Sequence, residues 1–153
     1  MGSIAAPGVG KSRKIDRLLA HYAESHRNPT NEAIHMIAIP AIMLSLIGLL
    51  FAIHPWVAYA FVTASLIYYA TLRAATFFLA MAVGALIVLA LVQAMGGLVL
   101  PISAAIVAIA WAFQFIGHRI EGKKPSFFED IQYLWVGPLF VLSRAFLRLN
   151  LPW

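Results

Sequence analysis

Three histidines, His26, His35 and His118, stand where long apolar runs of this chain begin or end. Neutral imidazole is the commonest metal ligand, and a ligating ring needs its other nitrogen held by a partner. Groups able to act as such partners lie close by in sequence. Tyr22, Asn31 and Glu32 flank the first two histidines, and Trp111, Gln114, His118 and Glu121 recur at steps of three and four, the spacing of one helix face. The set reads as a metal site in which Tyr22, Asn31, Gln114 and Glu121 take part in catalysis or hold the ligands. Each member also has a plainer reading. Asn31 can cap a helix, Gln114 can bridge two helices, and Tyr22, Trp111, Tyr133 and Trp135 can form an interfacial aromatic belt. His21 and His54 read best as snorkelling or hydrogen-bonded side chains.

The elements that carry these residues follow from composition. Of 153 residues, 62% are hydrophobic and 11% charged, well above the roughly 45–50% apolar share of soluble domains. Between residues 33 and 117 the only charged side chain is Arg73. About 20 helical residues cross a bilayer, so four spans fit, at about 33–53, 56–72, 74–95 and 98–117. The breaks fall at His54-Pro55, Arg73, Gly96-Gly97 and Gly117-His118.

Before the first span, Ile15, Leu18, Leu19 and Tyr22 predict an amphipathic helix between Lys14 and Arg27, with His26 continuing its face. Asn28-Pro29 restarts the helix as N-cap and first helical residue, so Asn31 and His35 share a face. Residues 1–12 read as a disordered tail and 13–153 as one membrane-embedded domain. "GVGKS" at 8–12 is no phosphate loop, because that motif needs glycine at position 5, which is Ala5, and a strand before it. The last apolar run, Ile131 to Leu142, has the length of a re-entrant or interfacial segment. The fold class is therefore an all-α integral membrane bundle of four spans, with an N-terminal amphipathic helix and a C-terminal re-entrant or lateral helix.

The net charge of +5 would invite a nucleic-acid partner in a soluble domain. Here topology explains it: with four spans every Lys and Arg falls on one side, which the positive-inside rule makes cytoplasmic. Both termini and all three histidines then belong to the cytoplasmic face, in what reads as a bacterial cytoplasmic membrane. The chain has no cysteine, which excludes disulfides, thiolate metal sites and thiol nucleophiles.

Read in order, "YAESHRNPTNEAIHMIAIP", "WAFQFIGHRIEGKKPSF" and "YLWVGPLF" resemble the small membrane 2-hydroxy fatty acid dioxygenases of fatty-acid α-oxidation. The resemblance covers about residues 15 to 145. It implies that His26, His35 and His118 match the family's histidines, that Asn31, Gln114, Glu121 and Pro125 match its other characteristic positions, and that the metal is Fe(II). Where the family commonly has an acidic residue after G-P-L-F, this chain has Ser143-Arg144. The reaction implied is oxidative decarboxylation by O2 to an acid one carbon shorter, with release of CO2. Arg119, Lys123 or Lys124 would attract the substrate carboxylate while the acyl tail runs among apolar helices and membrane lipids.

Two other classes fit parts of the pattern. A lipid-binding or transport module would use the histidines for packing or proton relay, but transporters place polar groups near mid-bilayer rather than at one face. A zinc hydrolase also needs three histidines and a water, and only the resemblance decides for iron. A membrane di-iron hydroxylase would need about eight histidines by the resemblance of its histidine boxes, and this chain has 5. Oligomeric state, substrate chain length and stereochemistry are open at this level.

Overall fold

The computed structural model describes residues 13–122 and 133–152. The expected tail of residues 1–12, Lys123, Lys124, Pro125 and the start of the 131–142 run lie outside the described residues. Within them the chain is all-helical: α1 (Lys14–Ala23), α2 (Pro29–Ile53), α3 (Pro55–Thr71), α4 (Ala75–Ala94), a short 3₁₀ turn (Gly96–Leu98), α5 (Val99–Glu121) and α6 (Val136–Arg148).

Three stretches are long and apolar enough to cross a membrane: Pro29–Ile53, Ala75–Ala94 and Gly96–Glu121. Leu79, Val83, Leu86, Ile87, Leu91, Ile109, Phe113 and Ile116 stay exposed along them, an apolar surface that water would not tolerate but lipid does. This is a membrane protein. α3, in the place of the expected 56–72 span, has 17 residues, roughly 26 Å at about 1.5 Å per residue. It pairs antiparallel with both neighbours. Phe51 of α2 and Gln93 of α4 meet Tyr59 near its start, while Tyr69, Leu72 and Phe77 pack together at its other end.

The amphipathic N-terminal helix is shorter than its periodicity predicts. It ends at Ala23, where the N–H groups of Glu24, Ser25 and His26 bond the carbonyls three residues back, a tightened last turn. His26 thus sits in the connecting turn, not on the helix. Asn28 then caps α2: its extended backbone precedes Pro29, and its side chain accepts from the N–H of Thr30 at 2.9 Å. At the opposite end of the bundle Gly96, with a φ of 54°, makes the tight α4–α5 turn that a side chain would strain.

α2 and α5 form the tightest pair. They run antiparallel and touch at two glycines: a Cβ on Gly48 would strike Ser103, and one on Gly117 would strike Asn31. Small residues at such crossings let helix backbones approach closely in lipid, where no hydrophobic force drives helices together. α1 and α6 close over the end of the bundle where α2 begins and α5 ends. Ile15 of α1 and Leu139 and Phe146 of α6 bury themselves against Tyr69, Leu72 and Phe77, and Tyr22, Ile39, Val136 and Phe140 form an adjoining cluster. With 13 residues, about 20 Å, α6 is too short to cross the roughly 30 Å hydrocarbon core.

Candidate functional site

His26, His35 and His118 come from three separate pieces of backbone and end side by side. His26 lies in the α1–α2 turn, His35 in the second turn of α2 and His118 near the end of α5. The ring centroids of His26 and His35 are 4.4 Å apart and those of His35 and His118 5.3 Å apart, both pairs edge to face. His35 is the central ring, 1% exposed, and His26 is 5% exposed.

Backbone carbonyls orient two of the rings. Nδ1 of His26 is 2.9 Å from the Tyr22 carbonyl oxygen and Nδ1 of His35 is 3.0 Å from that of Asn31. A carbonyl oxygen can only accept, so in each neutral ring Nδ1 carries the proton and Nε2 keeps the lone pair. Nε2 of His26 and Nε2 of His118 are both shielded from solvent.

The donor types of this set suit a metal ion. Two imidazoles sharing an ion at about 2.1 Å, with ligand angles of roughly 90–110°, hold their ring centroids about 4.5–5.5 Å apart, which brackets the 5.3 Å pair and nearly reaches the 4.4 Å pair. As they stand the rings pack on one another, and among the described residues no group of three or more His, Asp or Glu side chains is placed to hold an ion.

Glu121 ties the pieces together. Its Oε1 accepts the Arg27 N–H at 3.0 Å, and its Oε2 accepts the Asn28 N–H at 3.0 Å and the Asn31 side-chain amide at 2.9 Å. One carboxylate at the end of α5 therefore holds both the turn bearing His26 and the first turn of α2. Asn31 is fully buried, and it is packed against Gly117, one residue before His118. Its work is this junction; the cap that the residue type also suggested is made by Asn28.

Tyr22 stacks on His26 with centroids 4.2 Å apart and planes 10° apart, and Phe140 lies 5.5 Å from the same ring. Beside the rings opens a cavity of about 120 Å³, lined by Tyr22, Trp111, Gln114 and His118 together with apolar residues that include Ile39, Met43 and Pro138. A mostly apolar pocket with a few convergent polar groups is the usual form of a small-molecule site. Trp111, Gln114 and His118 share it as their spacing predicted, whereas Glu121 points to the α1–α2 turn.

Two expectations for plain roles agree with the coordinates. His54 caps α3, its Nδ1 accepting from the Trp56 N–H at 3.3 Å, and exposed His21 lies 3.6 Å from Glu24. Arg119 is exposed on α5 and does not line the cavity. One link was not anticipated: Arg144 of α6 pairs with Glu32 of α2 at 3.1 Å, with its guanidinium 4.9 Å from the Phe140 ring centroid. The four-residue step from Phe140 to Arg144 signals their shared helix face; the partner on α2 has no local signal.

The family model described as 2-hydroxy-palmitic acid dioxygenase Mpo1-like matches residues 12–149. The chain belongs to the Mpo1-like family. Among Mpo1-like proteins it is similar to the 2-hydroxy-palmitic acid dioxygenase MPO1 of Saccharomyces cerevisiae, 30% identical over an alignment of 139 residues that covers 86% of this chain and 79% of the yeast protein. No solved structure matches the chain. The Mpo1-like match takes in all three histidines, Tyr22, Asn31, Gln114 and Glu121, and so agrees with the resemblance carried by the sequence strings around them.

Proposed function

We propose that this protein is an Fe(II)-dependent dioxygenase that converts a 2-hydroxy fatty acid and O2 into the fatty acid one carbon shorter, CO2 and water. The observation that carries the reading is the meeting of His26, His35 and His118 beside an apolar cavity, with Nδ1 of two rings already engaged by carbonyls. Membership of the Mpo1-like family and the name of the yeast relative support the substrate class. Three histidines suit zinc as well as iron, but zinc has no redox chemistry to offer a dioxygenase.

His26, His35 and His118 would hold the ion, leaving open positions as in other O2-activating iron sites. Bound there, the iron supplies the redox chemistry between O2 and a 2-hydroxy acid, which itself provides the electrons, so no 2-oxoglutarate is needed. The chain's own contribution is positioning. Neutral imidazoles leave the ion's positive charge to draw the substrate carboxylate, Gln114 stands in the same cavity to orient it, and Tyr22 with Phe140 covers the His26 ring against water. Arg119, Lys123 and Lys124 attract the anion to this face of the bilayer. α3 makes a fourth crossing, which puts every Lys and Arg, both chain ends and the site on the cytoplasmic side.

Protein purified in mild detergent and incubated with a 2-hydroxy fatty acid under air should yield the acid one carbon shorter, read by mass spectrometry. Chelation should abolish the product, Fe(II) should restore it, and Zn(II) should not. Full turnover by iron-free protein would overturn the proposal. Glu121→Gln exchanges one acceptor oxygen for a donor that faces the N–H groups of its own partners. A tenfold to hundredfold loss of iron affinity is expected, by analogy with other groups that hold metal ligands in place, and iron titration checks it.

A further inference from the structure

A second cavity, of about 240 Å³, lies beyond the first and shares Ile39, Met43 and Pro138 with it as a common wall. We propose that this cavity receives the distal part of the substrate's acyl tail, and that Gly84 of α4 sets the length of tail the enzyme accepts. The inference rests on the fatty-acid reading above and names the residue that would select within that class.

The lining of the second cavity has no polar group to spare for a polar ligand. Its polar members are Ser65 and Tyr69, and both are engaged with Trp135. The Ser65 hydroxyl donates to the Phe61 carbonyl at 2.8 Å and accepts the Trp135 indole N–H at 3.0 Å. The Tyr69 hydroxyl donates to the Trp135 carbonyl at 3.0 Å. What remains is hydrocarbon, which suits a methylene chain and little else. Taken together the two cavities reach the size of ordinary small-molecule sites, roughly 300–1,000 Å³.

The second also reaches deeper along α2 than the first. The polar end of the first is at His118 and Gln114, and the far end of the second reaches Ile47 of α2 and Val88 of α4. From His35 to Ile47 along α2 is roughly 18 Å at about 1.5 Å per residue, the reach of an extended saturated chain of about fourteen carbons. A tail running this way would keep its carboxyl end at the histidines and its methyl end in mid-bundle.

Gly84 stands on this path, in the wall of the second cavity. A Cβ built there meets nothing within 4 Å, so no close helix contact requires glycine at the position. Space is what the missing side chain provides. Each methylene denied burial should lower kcat/KM about fourfold, so a side chain that displaces the last few methylenes discriminates steeply against long tails.

The test is a length series. Wild type, Gly84→Ala and Gly84→Phe are assayed with 2-hydroxy acids of increasing chain length, and binding of the same series is measured by competition against a radiolabelled long-chain 2-hydroxy acid. Gly84→Phe should lose roughly tenfold or more with the longest acids, in turnover and in binding, while short acids keep rates within about twofold of wild type. Gly84→Ala should fall between, and Gly84→Leu serves if the phenylalanine variant does not fold. A uniform loss at all lengths, or an unchanged profile, would overturn the inference; the latter would mean that membrane lipid fills the cavity whatever the substrate. If wild type turns over no 2-hydroxy acid, the functional proposal falls. A length-dependent binding defect in Gly84→Phe would still uphold the acyl cavity, and its absence would sink that too.

Discussion

Alanine in place of His35 is expected to abolish turnover, by roughly a thousandfold or more, since a catalytic metal contributes several kcal/mol of transition-state stabilisation. His35 is the ring that touches both of the others, so its removal breaks the set at the centre. The bundle should persist, because α2 and α5 still meet at Gly48 and Ser103 and the α1–α6 cluster does not involve the ring. Iron content and rate should fall together in protein whose helical circular dichroism matches wild type. His26→Ala and His118→Ala should be as inactive. A His35→Ala protein that kept a tenth of the wild-type rate would show that the rings are packing residues.

Gly117→Ala should be nearly as damaging to activity, although it adds one methyl group. The new Cβ would overlap Asn31 Oδ1 and come within 3.4 Å of His35 Cε1. Asn31 cannot simply swing away: it is fully buried and its amide is held by Glu121 at 2.9 Å. Overpacking of this kind costs about 1–3 kcal/mol in stability, and a roughly hundredfold loss of activity is expected as Asn31, Glu121 and His35 shift together. A double-mutant cycle decides the cause. If the clash with Asn31 is responsible, adding Gly117→Ala to Asn31→Ala should cost almost nothing further in rate. Additive losses would refute the mechanism. Gly84→Ala, with open space around its Cβ, is the matched substitution that should leave folding intact.

The reach of the sequence can be judged from particular residues. That the chain lives in a membrane was legible because water and lipid impose opposite rules on composition, and a run of 85 residues with Arg73 as its only charge satisfies only the second. The helix start at Asn28-Pro29, and with it the common face of Asn31 and His35, was legible because capping and helical periodicity are local physics. So was the shared face of Trp111, Gln114 and His118, all of which line one cavity.

Three-dimensional packing decided the rest. α1 stopped at Ala23 because a tightened turn took up the carbonyls of His21, Tyr22 and Ala23. Glu121 looked like a fourth member of the His118 face; its oxygens went instead to Arg27, Asn28 and Asn31, donors 90 to 94 positions away. Arg144 found Glu32, and Gly84 and Gly117, identical letters, stand respectively in open space and against a buried amide. By itself the sequence determined the medium, the helices and which imidazoles face one end of the bundle, since those depend on composition and on neighbours within a turn or two. Which groups touch across helices was decided only by the tertiary structure, because such contacts depend on how closely two backbones approach, and no stretch of one helix encodes the surface of the other.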